Sequence, residues 1–542
     1  MRIKVKEKGI VCGKDITEEL QQLLQELKII KEEKILEFEK GEYFISSDNA
    51  AKKKLYITNT IGDNEWENGE EPHLNTVAVL IEDVDNLIFE GNGCTFVLDG
   101  QMTNVSVIGC QNVTLKDFAI RTLNPDLHEF RVSDKKYNYI DFNVDAESRY
   151  VCINGKYYFA GKDYCVPFNN KAASAFWIGH IGTDNPDKIR RVSHPLLGSY
   201  KIKELSSNLF RAYYLFPKNY KKGDKFYCFD VRRKYAGIFV DNCENVTLEG
   251  INQYFNYSLA VVCQNSKDIS INKCRFAPQA NSSKLMASVA DFIQICMCRG
   301  VVNIKDNYFK GSGDDCLNVH GIHFPIVSHE GRNMTVKFAH LQSHGFNPLR
   351  EGDTVKVVDP KTLTGGDRAR IISSELIDEK TLRLELDSEI TAPVGFVIED
   401  IDACPSLNFE NNTMSRIITR GVLVTTSGKV RISNNRFINT SMHSILISDD
   451  AKSWYESGNV QDVVIENNYF GECPMYNVFV KPENAFHRGY VHKNITIKNN
   501  TFDSGEKEGL YFKSTDNIVI SDNVFKGAKR IKSKNSDIVK LQ

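Results

Sequence analysis

The sequence predicts an all-β protein whose main body is a parallel β-helix, and three observations support this fold class. A short phrase of alternating apolar and polar residues, ending in an Asn or Asp turn and an apolar residue, recurs along the chain. Alternation with a period of two residues is typical of strands. The chain has 542 residues, which is too many for one ordinary compact core but suits a repeat array.

The spacing of the copies gives the size of one coil. Phe502 and Phe525 are 23 residues apart, whereas Phe437 and Phe470 are 33 apart. About 23 residues hold three short strands and three turns, and the longer units carry a loop of about ten extra residues. Asn and Asp suit the corners because they tolerate left-handed backbone. The copies are DISINKCRF (268–276), VVNIKDNYF (301–309), SLNFENNTM (406–414), KVRISNNRF (429–437), DVVIENNYF (462–470), NITIKNNTF (494–502) and NIVISDNVF (517–525).

Other parts of the chain interrupt or precede the repeat. Residues 15–28 form an amphipathic pattern that predicts a helix capped by Asp15 or Thr17, which would cover the first coil. Two aperiodic stretches with strand and turn patterns predict inserted β-domains, the second resembling a small β-barrel. The predicted organisation is an N-terminal cap and first coils (1–127), an inserted β-domain (128–235), coils with the chemistry-bearing segment (236–321), an inserted β-barrel (322–402) and C-terminal coils (403–542).

Composition and charge exclude several classes of partner. The net charge is −2, so no broad attraction to nucleic acid or to an anionic membrane is expected. No apolar run approaches the roughly 20 residues that a membrane-spanning helix requires. The N-terminus has no apolar core typical of a signal peptide, so we expect a cytoplasmic bacterial protein, or one that begins after a removed signal. The 14 cysteines follow no disulfide framework and are expected to be buried thiols.

The segment 288–321 contains the residues most suited to catalysis. Asp291 lies in an apolar strand-like run, and Asp314 and Asp315 follow the flexible sequence GSG. The 23 residues from Asp291 to Asp314 equal the short coil period, so the two should lie on adjacent coils on one flank. Glycoside hydrolysis requires a neutral carboxyl and a carboxylate, about 6.5–9.5 Å apart in inverting enzymes. We therefore predict Asp291 as the acid, and Asp314 with Asp315 as the base.

Two simpler interpretations of this cluster remain. An Asp pair after glycine is often a solvated turn. A calcium site would require more oxygen ligands than this segment supplies. The Cys296–Cys298 and His320–His323 pairs lack partner pairs at zinc-site spacing, so no metal and no cofactor are expected.

The same segment resembles glycoside hydrolase family 110, the α-1,3-galactosidases that act on blood-group-B-type glycans. The resemblance is carried by ADFIQICMCRG (290–300) and GDDCLNVHG (313–321), and more weakly by MSRIITRGVLVTT (414–426) and SWYESGNVQDVVIENNYF (453–470). It implies a right-handed parallel β-helix with β-barrel insertions and a metal-free, inverting reaction. It also implies an oligosaccharide partner with a terminal α-galactose, and a homodimer is a further expectation.

The resemblance also implies which residues contact the sugar. The catalytic trio stays Asp291, Asp314 and Asp315. At Gln294 the chain departs from the family, because a His is expected there, and Gln cannot titrate near neutrality. Two other functions stay open: a polygalacturonase-like hydrolase, whose other motifs are absent here, and a non-catalytic carbohydrate-binding β-helix. The predicted sugar-binding residues are Gln294, Asn318, His320, Arg416, Arg420, Trp454 and Glu456.

Overall fold

Stacked coils form the body of the molecule, as the repeat predicts. A computed structural model describes residues 1–60, 71, 73–169, 178–216, 218–229, 233–505 and 509–541. Phe437, Phe470, Phe502 and Phe525 are register partners on successive parallel coils. Their ring centroids lie 4.8, 4.9 and 4.7 Å apart from one coil to the next, close to the usual spacing of neighbouring strands. The predicted all-β parallel β-helix is confirmed.

Sheet 1 forms two faces of the β-helix and contains the recurrent phrase. Each coil contributes one strand before the Asn corner and a second strand after it, and both pair in parallel with the next coil. The strands of sheet 1 are Arg2–Lys4, Lys34–Glu37, Glu42–Ser46, Leu87–Asp99, Gln111–Leu123, Glu244–Glu249, Asn252–Gln253, Lys267–Asn272, Arg275–Phe276, Arg299–Lys305, Tyr308–Ser312, Ser406–Glu410, Thr413–Ile417, Val430–Ser433, Arg436–Asn439, Val463–Glu466, Tyr469–Glu472, His492–Lys498, Thr501–Phe502, Thr515–Ser521, Val524–Phe525 and Ile538–Leu541.

Sheet 2 forms the third face of the β-helix. Most of its strands are parallel, but Ala51–Lys54 and Glu456–Ser457 pair antiparallel to their neighbours. The strands of sheet 2 are Ala51–Lys54, Leu74–Glu82, Thr103–Ile108, Ile238–Asp241, Val261–Gln264, Ile293–Cys296, Leu317–Ile322, Val422–Thr425, Ile445–Ile447, Glu456–Ser457, Val478–Val480, Gly509–Lys513 and Arg530–Lys534.

A row of buried asparagines fixes the corner between the two faces of sheet 1. The backbone N–H and Nδ2 of Asn435 donate to Oδ1 of Asn468 at 2.9 and 3.0 Å. Asn435 Nδ2 also donates to the Phe409 carbonyl at 2.8 Å. The preceding Asn434 has a φ of 58°, in the left-handed region that Asn tolerates. The first residue of each corner pair, an Asn or an Asp, therefore makes the turn, and the second builds a ladder that includes Asn307, Asn412, Asn435, Asn468, Asn500 and Asn523.

Two insertions interrupt the coils. The second is a closed antiparallel barrel, as expected. Among its described residues, the first is an open antiparallel sheet, because its outer strands Ile189–Arg191 and Ser199–Ser206 do not pair with each other. The expectation that the first insertion is also barrel-like is therefore corrected. Its other strands are Leu127–Lys136, Tyr139–Val144, Ile178–Ile181, Leu209–Tyr214 and Lys225–Phe229, with a small separate sheet of Tyr150–Ile153, Lys156–Ala160 and Cys165–Pro167. The barrel strands are Phe324–Glu330, Asn333–Lys337, Thr354–Val358, Gly365–Asp378, Thr381–Leu386 and Val397–Asp400.

The N-terminal cap is a helix over Thr17–Leu27, preceded by a 3-10 turn over Val5–Lys8. The carboxylate of Asp15 accepts a hydrogen bond from the Thr17 backbone N–H at 3.0 Å. The apolar face of the helix, including Leu20 and Leu24, joins the main core. None of the described helices is long and apolar enough to cross a membrane. Ten of the 14 cysteines are buried, as the sequence predicts.

Replacing Asn435 by Ala tests the asparagine ladder. The change removes the partners of the Asn412 donors and of the Phe409 carbonyl. Each buried group left unpaired costs about 1–3 kcal/mol, so we expect the free energy of unfolding in urea to fall by about 2–4 kcal/mol. Asn408→Ala is the control, because this half-buried strand residue has no left-handed backbone and, among the described residues, its side chain bonds only that of Asn303. Equal losses in the two variants would contradict a ladder that stabilises the coils.

Candidate active site

The predicted catalytic residues lie along the outer side of sheet 2. In Ile293–Cys296 the alternate residues Ile293 and Ile295 enter the main core, so Gln294 points outward. On the next coils Asn318 and then Leu423 occupy the equivalent outward position. The parallel register therefore aligns side chains that are far apart in the sequence.

The two coil segments that carry the aspartates, each just before a strand of sheet 2, are offset by 24 residues. Ile293 pairs with Leu317, and a bridge joins Ser288 to Ser312. Asp291 and Asp314 lie on adjacent coils, as predicted, but the register partner of Asp291 is Asp315. The backbone N–H of Asp315 donates to Oδ1 of Asp291 at 3.0 Å. The prediction based on a 23-residue coil was wrong by one residue, because this coil is one residue longer than the short period.

The three carboxylates form a tight and largely buried cluster. One oxygen from each of Asp291, Asp314 and Asp315 lies within 4.8 Å of the other two. Burial raises the pKa of Asp291 well above its ordinary value, and the charges of Asp314 and Asp315 raise it further. The hydrogen bond from Asp315 opposes this shift but is the smaller effect. Asp291 is therefore the carboxyl in the cluster that most readily keeps a proton near neutral pH.

Asp315 is held in place from the following coil. Thr419 Oγ1 and the Arg420 backbone N–H both donate to Asp315 Oδ1, and the Arg420 guanidinium donates to Oδ2 at 2.6 Å. Burial raises the pKa of Asp315 to about 6, although the Arg420 cation works in the opposite direction. Asp314 differs from both neighbours, because it is half-buried and no described group hydrogen-bonds its carboxylate. Within this cluster, Asp314 is therefore the carboxylate with most freedom to hold a water molecule.

The predicted polar residues around the cluster form one network. His320 Nδ1 donates to the Gly321 carbonyl at 2.8 Å, which leaves Nε2 to accept from the Gln294 amide at 2.9 Å. Asn318 Nδ2 donates to the Glu456 carboxylate at 3.0 Å. Buried oxygens of Gln294 and Asn318 have no hydrogen-bond partner among the described residues. Neither Gln294 nor His320 lines the cavity; the two support each other beside it, and the prediction that they contact the sugar directly is corrected.

A cavity of about 310 Å³ opens over the carboxylates. Trp454 lies at its rim, half-exposed, with its ring stacked on His340 at a centroid distance of 4.7 Å. The predicted residues that line the cavity are Asp291, Asp314, Asp315, Asn318, Arg420, Trp454 and Glu456. The tertiary structure therefore brings most of the predicted site together in one place.

Arg416 is an exception among the predicted sugar-binding residues. It is buried and does not line the cavity. Its guanidinium donates to the carbonyls of Leu285 and Pro186, both at 2.8 Å. Arg416 therefore joins the first insertion to the coil that precedes Asp291, and the prediction that it contacts sugar is corrected.

The cavity also contains residues that sequence reasoning missed. Arg191 comes from the first insertion, and Asn59 from a loop near the N-terminus. Asp450 and Glu483 follow strands of sheet 2, and Thr419 precedes Arg420. Two of these residues had a signal in the sequence. Asp450 belongs to an Asp pair that follows a strand, and Thr419 is a polar residue next to Arg420. Nothing in the local sequence indicated that Asn59 or Arg191 would reach this cavity.

The carboxylate cluster is also close enough to hold a cation. Only three side chains form it, whereas calcium prefers six to eight oxygen ligands. Asp291 favours its neutral form, and Asp315 is already paired with Arg420. A second acidic group, Asp353, Asp400 and Asp402, is likewise occupied, because Arg299 pairs with its first two members. The donor sets therefore fit proton transfer better than metal binding.

Comparison with known proteins is consistent with this geometry. Family models described as right handed beta helix region and GLAA-B beta-barrel domain II match residues 395–536 and 333–395. Alpha-1,3-galactosidase A of Bacteroides thetaiotaomicron is 28% identical over 93% of this chain and 88% of its own length. The corresponding enzyme A of Streptomyces avermitilis is 29% identical, covering 90% of this chain and 81% of its own length. Alpha-1,3-galactosidase B of B. thetaiotaomicron is 28% identical over 90% of this chain and 80% of its own length.

The chain is a homologue of the alpha-1,3-galactosidases. The predicted resemblance to glycoside hydrolase family 110 is confirmed at this level, and the β-helix is right-handed, as the resemblance implies. Among solved structures, an exopolygalacturonase from Thermotoga maritima aligns with 99% of this chain and 91% of its own chain. The identity is 10% and the TM-score is 0.42. A likeness at this level says nothing about the sugar.

Replacing Asp291 by Asn should stabilise the fold at neutral pH. Below about pH 3.8 Asp291 is protonated in both the folded and the unfolded chain, so its burial has no pH-dependent cost. Above that pH the unfolded chain gains by ionising Asp291, whereas the folded chain does not until its raised pKa is reached. Stability is therefore lost as the pH rises through this window, and Asn removes the loss.

The measurement is Tm against pH for the wild type and Asp291→Asn. The difference should be positive at pH 7 and should shrink toward pH 3. Asp134→Asn, at an exposed position, provides the control. A lower Tm for Asp291→Asn at pH 7 would show that Asp291 is ionised in the folded protein.

Proposed function

We propose that this chain is a glycosidase that removes terminal α-1,3-linked galactose from oligosaccharides, with inversion at the anomeric carbon. The observation that carries the proposal is the buried carboxyl group of Asp291 beside two further carboxylates at the base of a cavity. The homology to proteins named alpha-1,3-galactosidases supports the choice of sugar and linkage. Blood-group-B-type and linear α-1,3-galactosyl glycans are the proposed substrates.

In the proposed reaction, Asp291 donates its proton to the glycosidic oxygen as the bond to the anomeric carbon breaks. A water molecule attacks that carbon from the opposite face. Asp314 and Asp315 orient this water, and one of them accepts its proton. The Arg420 guanidinium and the Thr419 hydroxyl keep Asp315 oriented as a base. The products are free galactose and an aglycone with a new hydroxyl group.

The separation of the carboxylates bears directly on inversion. The nearest oxygens lie within 4.8 Å, which is shorter than the usual gap in inverting enzymes and close to that in retaining enzymes. Inversion is proposed because both oxygens of Asp315 are occupied by Thr419 and Arg420, which disfavours it as a nucleophile. No described group bonds the carboxylate of Asp314, which leaves room for a water molecule beside it.

The alternative assignment gives the base role to Asp291 and Asp315, and it is disfavoured because burial raises the pKa of Asp291 well above its ordinary value. Asp314, the carboxylate without a described partner, would then donate the proton. The two assignments predict opposite mutant behaviour, as described below.

Recognition of a neutral sugar is consistent with the charges of the cavity. Its lining contains six carboxyl groups and two arginines. Such a surface repels the carboxylates of polygalacturonate, which argues against the polygalacturonase alternative. The half-exposed ring of Trp454 offers a face for the apolar side of a hexose, and Glu456 and Arg420 offer charged hydrogen bonds to hydroxyls. The six carboxyl groups are those of Asp291, Asp314, Asp315, Asp450, Glu456 and Glu483.

The proposed function predicts substrate and stereochemistry. The wild type should release galactose from 4-nitrophenyl α-galactoside and from galactosyl-α-1,3-galactose, and should not cleave polygalacturonate. A proton NMR spectrum taken within the first turnovers should show β-galactose before mutarotation. α-Galactose as the first product would establish retention instead. Disaccharide binding by the wild type without hydrolysis would favour the carbohydrate-binding alternative. If the protein is an enzyme, Asp314→Asn should abolish turnover while keeping disaccharide binding.

The acid is identified by comparing Asp291→Ala with Asp314→Ala on two substrates. A general acid contributes about 10²–10⁴-fold when the leaving group needs a proton. If Asp291 is the acid, its Ala variant should lose about that factor in kcat on the disaccharide and far less on 2,4-dinitrophenyl α-galactoside. Asp314→Ala should lose activity on both. The opposite pattern would assign the proton to Asp314.

A further inference from the structure

Three of the residues that line the catalytic cavity come from one short segment of the chain. Asp450, Trp454 and Glu456 all belong to residues 448–457, the Trp454 loop, which follows strand Ile445–Ile447 of sheet 2. Two of them, Trp454 and Glu456, are proposed sugar contacts. The shape of this loop therefore decides where those two side chains stand in the cavity.

The Trp454 loop has a backbone shape that its own contacts only partly support. The Asp450 carboxylate accepts hydrogen bonds from the backbone N–H groups of Lys452 and Trp454, at 2.9 and 2.8 Å. Tyr455, in contrast, has a φ of 56°, in the left-handed region where a bulky side chain is uncommon. Such a conformation persists only when the surrounding structure holds it. A group outside the loop is therefore required to fix the chain between Trp454 and Glu456.

His323 makes the contacts that this loop requires. It lies between strand Leu317–Ile322 of sheet 2 and the first strand of the barrel, Phe324–Glu330. Its backbone N–H donates to the Tyr455 carbonyl at 2.8 Å. Its ring atom Nε2 is hydrogen-bonded to Oδ1 of Asp449 at 2.7 Å. One residue thus contacts the Trp454 loop both near its beginning and near its end.

The contact between His323 and Asp449 is deeply buried. The two side chains are 0% and 2% exposed, so a hydrogen bond lost between them is not readily replaced by one to solvent. The buried residue Ala451 of the loop packs against Val358 and Val397 of the barrel. The Trp454 loop is therefore held between the barrel and sheet 2, and His323 lies where the chain passes from one to the other.

We propose that His323 is a positioning residue, which holds the Trp454 loop in the shape that places Trp454 and Glu456 against the sugar. The inference rests on the proposed function for the identity of that sugar. His323 does not line the cavity, so its effect on the sugar passes through the loop. Loss of the His323 ring should therefore weaken sugar binding more than it slows the chemical step.

The kinetic test compares His323→Leu, which removes the hydrogen bond, with His323→Gln, in which an amide can still donate to Asp449. On 2,4-dinitrophenyl α-galactoside, kcat/KM of His323→Leu should fall at least tenfold, mainly through KM, whereas His323→Gln should stay within threefold of the wild type. In a chain that already carries Trp454→Ala and Glu456→Gln, adding His323→Leu should cost less than twofold, because the side chains that it positions are gone. Equal losses in the two backgrounds, or no loss in either, would overturn the proposal.

His128→Leu is the matched control, because His128 of the first insertion forms a similarly buried pair with Asp126, the side chains being 2% and 1% exposed. This variant should lower Tm as His323→Leu does but keep kcat/KM within twofold. Asp449→Ala breaks the His323 hydrogen bond from the loop side, so it should reproduce the kinetics of His323→Leu, and it decides the question if His323→Leu does not fold. Wild-type kinetics in a folded Asp449→Ala variant would overturn the proposal.

A fluorescence measurement separates failure of this proposal from failure of the proposed function. The Trp454 ring is stacked on His340, and its emission is obtained by comparing each chain with the same chain carrying Trp454→Phe. Quenching of this emission by iodide should increase in His323→Leu and stay unchanged in His323→Gln and His128→Leu. If the wild type hydrolyses no galactoside, the proposed function fails and this measurement decides alone. Unchanged quenching in His323→Leu would then overturn the positioning role.

Discussion

The fixed register between successive coils is the constraint on which the other features of this protein depend. Each strand of the β-helix hydrogen-bonds to the same strand of the next coil, and a one-residue slip would turn core residues toward solvent. The buried ladder that includes Asn412, Asn435 and Asn468 opposes such a slip at one corner, because each amide bonds its counterpart on the next coil. Stacked phenylalanines beside the ladder keep the same alignment.

The same register assembles the candidate active site. Asp291, Asp315 and Arg420 belong to three successive coils, each two residues before a strand of sheet 2, and the register of those strands brings them together. The two insertions add what the coils lack. The first contributes Arg191 and a wall, and the second contributes His340, on which Trp454 stacks. The stacked coils thus provide the candidate catalytic groups, and the inserted domains shape the space above them.

The site is built at the expense of stability. Asp291 is buried beside two other carboxylates, and its raised pKa means that ionisation in the folded chain is unfavourable. Arg420 offsets part of this charge by pairing with Asp315. A carboxyl group that resists ionisation is the group that a glycosidase requires as an acid. The unfavourable electrostatics and the proposed chemistry therefore have the same origin.

The sequence by itself determined the coil repeat and the β-helix fold, because strand periodicity and corner asparagines are local signals, and it pointed to the segment that carries the three clustered aspartates. It did not determine that Asp291 aligns with Asp315, since a single extra residue in one coil changes the register. It also could not reveal that Arg416 joins two domains or that Asn59 and Arg191 reach the cavity. Those contacts join residues far apart in the chain, so only the packing of the insertions against the stacked coils decided them.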